Sequence, residues 1–146
     1  MTGTELQQML DSYCQEMKAT MPGFLYIGIL SCTDGTTLAN ASNNGDVAKF
    51  IEQESSSHLM IINQVTKVLA TDESAGKLGL EFILIETDKI TFMFSMADEG
   101  KFFALTALDR EKSNLAISKM LLQKGKEKLG TMLEQFFPLY CLLFLF

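Results

Sequence analysis

The sequence has no tryptophan, two prolines, one histidine and a single arginine in 146 residues. Each scarcity excludes something. One histidine, His58, rules out a histidine-rich metal cluster, and a Cys–His dyad would need it to meet one of three scattered cysteines, Cys14, Cys32 and Cys141. Those cysteines are odd in number and form no CxxC pair, which suits buried thiols in a reducing compartment better than a disulfide framework. The lone arginine, Arg110, is the one side chain that an arginine finger for phosphoryl transfer could use. It sits in Asp109-Arg110-Glu111-Lys112, where a solvated helix start is the plainer reading. There is no GxxxxGK loop, no GxGxxG after a strand, no HExxH and no GxSxG. The carboxylate pairs Asp72-Glu73 and Asp98-Glu99 fall in turns, where solvent is their natural surrounding. The expectation is a protein without catalytic residues, metal or cofactor, and so not an enzyme.

Positive charge is also short, with 12 Lys+Arg against 18 Asp+Glu and a net charge of −6. That balance disfavours nucleic-acid binding, which calls for a basic footprint. Half of the basic residues (Arg110, Lys112, Lys119, Lys124, Lys126 and Lys128) nevertheless cluster near the C-terminus. They form either a solvated helix face or a local positive patch for an acidic partner or lipid headgroups. No basic stretch followed by an apolar core opens the chain, so no signal peptide is expected and a cytoplasmic location is. The longest uncharged apolar run, Phe136 to Phe146, falls short of the roughly 20 residues that a bilayer-spanning helix needs.

What is present is an apolar fraction of 47% with 21% charged residues, enough to fold one core and not two. Residues 4 to 21 read as an amphipathic helix with Thr4 as cap and Leu6, Met9, Leu10, Tyr13 and Met17 inward. Pro22-Gly23 breaks it. The apolar run Phe24 to Leu30 reads as a strand covered on both faces, and Thr33-Asp34-Gly35 turns it into a more polar outer strand, Thr36 to Ser42. Asp46 caps an expected long helix to about Thr71, with Val47, Ile51, Ile61, Val65 and Val68 on one stripe. After a loop over 72–77, period-two alternation predicts strands at Leu78–Ile85 and Ile90–Met96, and Phe102–Leu108 reads as the fifth strand. A turn at Asp98-Glu99-Gly100 separates the last two, and a helix from Ser113 to about Phe137 ends at Pro138. The order α-β-β-α-β-β-β-α is an α+β fold: five mostly antiparallel strands flanked by helices, in one domain over 1–137 with an apolar tail at 138–146.

The second helix carries the most informative pattern. Leu59, Met60, Ile61 and Ile62 are consecutive and nearly encircle it, so one face has more apolar surface than a monomer's sheet can cover. Either a twofold dimer covers that face or the terminal segment does. Glu54 and His58 lie on the stripe of Ile51, Ile61 and Val65, one turn apart, where burial would make them want each other or a partner's groups. A histidine near a dimer axis would make association sensitive to pH near its ordinary range.

This order joins specific residues. Phe24-Leu25-Tyr26-Ile27-Gly28-Ile29-Leu30-Ser31-Cys32-Thr33-Asp34-Gly35 resembles the opening hairpin of roadblock (dynein light chain, MglB-type) domains. Leu80 to Thr87 with Lys89-Ile90-Thr91 is similar to that family's third and fourth strands, and Phe102 to Leu108 with Ser113-Asn114-Leu115-Ala116 to its last strand and helix start. The resemblance spans roughly residues 4 to 135 and implies a roadblock/profilin-like fold. It also implies a homodimer formed by antiparallel pairing of second helices and third strands, which places Leu59, Ile62, Val65, Leu69, Leu80 and Phe82 near the interface. Such dimers serve as scaffolds for small Ras-like GTPases, regulators of their nucleotide cycle, or adaptors. Where they speed hydrolysis, they order the GTPase's switch regions rather than supply an arginine.

The uncharged tail departs from that family. It can pack back across a groove, add as a strand to a sheet edge, or touch a membrane weakly. A rival to the scaffold reading is a GAF- or PAS-like sensor whose ligand pocket is lined by Met93, Phe94, Met96 and Phe103.

Overall fold

Helix α1, Gly3–Thr20, turns Leu10, Tyr13, Cys14 and Met17 inward at spacings of three and four, as a helix with one apolar stripe must. It starts ahead of Thr4, which therefore lies inside it and is not its cap. In the computed structural model the described residues are 3–70, 78–96 and 101–144, with side chains as far as Leu129. The turn at 98–100 and the loop at 72–77 lie outside them.

Gly23 takes a positive φ of 69° after Pro22, and its carbonyl accepts the Asp109 N–H at 2.7 Å. A Cβ there would collide with the backbone at Ser113, so glycine is required twice over. Strand β1, Phe24–Ser31, follows, buried along nearly its whole length. The hairpin turn to β2, Thr37–Ser42, uses Gly35 at φ 77° and the Asp34 carboxylate, which accepts the Thr36 N–H at 2.9 Å.

The expected long helix is two helices, α2 at Gly45–Gln53 and α3 at Ser55–Ala70. The break is Glu54, whose N–H donates to the Ile51 carbonyl at 3.1 Å while its own carbonyl accepts from Ser57 and His58. Three serines follow it, residues that prefer helix ends to interiors. The cap of α2 is Asn44 and not Asp46: the Asn44 side chain accepts the N–H groups of Asp46 and Val47 at 3.1 and 3.2 Å.

Strands β3 (Phe82–Glu86), β4 (Ile90–Met96) and β5 (Phe102–Asp109) complete an antiparallel sheet of order β2-β1-β5-β4-β3. The β3 ladder begins at Phe82, opposite Ser95 of β4, rather than at Leu78; one further bond runs from the Met96 N–H to the Glu81 carbonyl. Alternation fixes which face a side chain takes, while a ladder also needs a partner.

Helix α4, Leu115–Phe144, starts at Asn114, whose side chain accepts the Ile117 N–H at 3.0 Å. Pro138 does not stop it. A proline forfeits its own N–H bond and bends a helix without having to end it.

The sheet divides two cores. Under α1 and α4 lie Ile27, Ile29, Ala39, Ala41, Met93 and Ala104, and under α2 and α3 lie Tyr26, Leu30, Phe94, Phe103 and Leu105. Met93 thus belongs to one face and Phe94, Met96 and Phe103 to the other, so the four do not line one pocket. The space beside Phe102 and Phe103 is about 10 Å³, room for one water at most. The four residues expected to line one sensor pocket are therefore split between the two faces of the sheet.

Candidate interaction surface

Helix α3 and strand β3 meet at one side of the molecule, with Leu59, Ile61, Ile62, Ile83 and Ile85 in a single apolar cluster. Of the sixteen residues of α3, Lys67 alone has a side chain that is charged at every ordinary pH. Its inner face buries His58 and Ile62; Leu59, Ile61, Val65 and Leu69 are half-buried along its flanks. Met60 and Val68 point outward, 62% and 66% exposed, two turns apart on the face opposite Ile62. Val68 therefore does not share the inner stripe with Ile51. Those two residues are the ones sequence reasoning missed, although their spacing of eight was there to be read.

β3 is an edge strand, paired with β4 on one side and with no strand on the other among the described residues. Its sequence, Phe-Ile-Leu-Ile-Glu, carries no lysine, proline or bulge, the usual guards of an open edge. Ile83 and Ile85 face α3. Phe82 and Leu84 face the α4 side, where the Lys119 ammonium stands 5.3 Å from the Phe82 ring centre and Leu84 is 49% exposed. Leu80 is half-buried just before the strand.

The expected Glu54–His58 pairing takes another form. Glu54 is exposed at the α2–α3 junction, and its carboxylate accepts from the Ser57 hydroxyl at 3.1 Å. His58 lies under the helix with its ring 6.0 Å from that of Phe94, and its Nε2 has no hydrogen-bond partner. Burial pushes its pKa below the ordinary value, against smaller opposing pulls from the Ile51 carbonyl and the Glu54 charge. Burial thus favours the neutral imidazole in the folded protein.

Arg110 is occupied structurally. Its Nη1 donates to the Thr87 carbonyl at 2.9 Å and its backbone N–H to the Lys89 carbonyl at 3.0 Å, fastening the β3–β4 turn to the end of β5. Elsewhere, a groove of about 440 Å³ runs between α1 and α4, lined by Glu5, Met9, Tyr13, Glu16, Lys128 and Leu129 among others. No group of three or more His, Cys, Asp or Glu among the described residues is placed to hold a metal ion.

No protein-family model and no curated protein matches the chain. Solved structures do. MglB from Myxococcus xanthus superposes with a TM-score of 0.69 at 11% identity, covering 92% of this chain and 94% of that one. The gliding protein MglB from Thermus thermophilus gives 0.72 at 11% identity, over 92% and 95%. A Roadblock/LC7 domain from Streptomyces avermitilis gives 0.70 at 16% identity, over 86% and 98%. The chain has the roadblock/LC7 fold.

Proposed function

We propose that this protein is a non-enzymatic roadblock-type scaffold that pairs with a second copy of itself through α3 and β3. In this reading the dimer binds a small Ras-like GTPase and modulates its nucleotide cycle. One observation carries it: an unguarded apolar edge strand lies beside a helix whose outer face presents Met60 and Val68. Pairing two β3 edges satisfies their free backbone groups, and the same approach covers the outer faces of two α3 helices. Leu59, Ile61, Val65, Leu69, Leu80 and Phe82, all half-buried in one copy, border that contact, while His58 and Ile62 support it from beneath. Because Arg110 is engaged by Thr87, the regulator acts by holding one arrangement of the GTPase's switch loops, and the phosphoryl chemistry stays with the GTPase.

The test is solution mass by light scattering for the wild type and for Met60→Asp/Leu84→Asp, followed by binding to GTP-loaded small Ras-like GTPases. Both substituted side chains are exposed in one copy, so the variant keeps its fold. The expected result is a wild-type dimer that binds a GTPase and a folded monomeric variant that does not. A wild-type monomer overturns the reading.

A further inference from the structure

Helix α4 has two unlike halves. The first lies on the sheet, with Leu122 and Leu129 buried in the core beneath α1 and α4. Beyond Leu129 the helix continues to Phe144, a length of about 22 Å at helical rise. Its last charged residue is Glu134, and from Gln135 to Phe144 the sequence QFFPLYCLLF carries no charged residue.

The structure narrows where such a segment can go. It is helical, so it does not add to a sheet edge as a strand. It also continues as one helix through Pro138. A second copy's helix would cover one stripe and leave the rest in water. Lipid covers every side. Charge points the same way: Lys119, Lys124, Lys126 and Lys128 precede the apolar segment on this helix against Glu127 and Glu134, in a chain of net charge −6. The Lys128–Glu16 ion pair, 3.8 Å long and exposed on both sides, holds that lysine only weakly.

We propose that the C-terminal half of α4 inserts as a helix into one leaflet of a bilayer containing anionic lipid, with the lysines of its preceding turns at headgroup level. The ten residues from Gln135 to Phe144 reach about 15 Å as a helix, half of a hydrocarbon core of about 30 Å. Lysines beside an inserted apolar segment each add attraction to anionic headgroups. No helix among the described residues is long and apolar enough to cross a membrane.

Flotation of the full chain with vesicles tests this, using phosphatidylcholine alone and phosphatidylcholine mixed with phosphatidylserine. The wild type should float with the mixed vesicles. Leu142→Glu/Leu143→Glu should lower that fraction by at least about tenfold, since charges are costly in the hydrocarbon region. Lys124→Glu/Lys126→Glu should lower it on mixed vesicles more than on phosphatidylcholine alone. Unchanged melting temperatures would show that both variants keep the domain intact. Wild type that stays unbound on both vesicle types overturns the proposal. So does an assembly in plain buffer that Leu142→Glu/Leu143→Glu dissolves while vesicle binding is absent, which would make a second copy the occupant.

Discussion

Gly125 of α4 lies against the Tyr13 ring of α1 so closely that a Cβ at Gly125 would overlap the ring at Cε2. Mid-helix glycine is ordinarily a weakness worth about 1 kcal/mol against alanine, and here it is what lets the two helices meet. Gly125→Ala is expected to destabilise the protein by about 1–3 kcal/mol despite the better helix former, because the buried ring has to move. In a Tyr13→Ala background the same change should turn neutral or stabilising. Urea midpoints for the four proteins of this cycle check it, and equal effects in both backgrounds would refute the contact.

His58 sets the direction of a pH dependence. Its folded pKa lies below the ordinary 6.5, so between the two values the unfolded chain binds more protons than the folded one. The stabilisation is complete above pH 6.5 and is lost as the pH falls from there through the folded pKa. Urea midpoints should therefore drop between pH 7.5 and 5.5, and His58→Gln should flatten that slope. The sensitivity belongs to the packing of α3 on its own sheet. Equal midpoints at the two pH values would contradict the buried neutral imidazole.

Arg110 offers a test of how a GTPase would be regulated. Arg110→Ala removes an exposed bond to the Thr87 carbonyl and should cost about 0.5–1.5 kcal/mol of stability. Any effect of this protein on a partner's GTP hydrolysis should survive the substitution. A loss of hydrolysis by orders of magnitude, with the dimer intact, would instead make Arg110 a finger.

The β1–β2 hairpin is legible in the sequence because its signals are local: an apolar run, Asp34-Gly35, then polar alternation. Strands β3 and β4 are legible for the same reason, from period-two alternation. The break at Glu54 is harder to read, since apolar spacing continues across it and only backbone bonds to Ile51, Ser57 and His58 reveal two helices. Ile62 counts toward an outer interface when four apolar residues in a row are read around the helix, yet the sheet claims it and leaves Met60 outside. The pairing of Gly125 with Tyr13 has no local signal, because it depends on where two helices far apart in the chain cross.

The two margins of the sheet differ in kind. β2 reads Thr-Leu-Ala-Asn-Ala-Ser, its Asn40 donates to Glu52 at 2.5 Å, and its Leu38 carbonyl is taken by the Gln7 side chain at 2.8 Å. β3 has nothing polar before Glu86. Growth by strand addition then has a single direction, and a copy joined through β3 turns only its β2 margin to newcomers. Two copies joined through β3, as proposed, would double the sheet and leave only β2 margins, whose polar side chains disfavour a further strand.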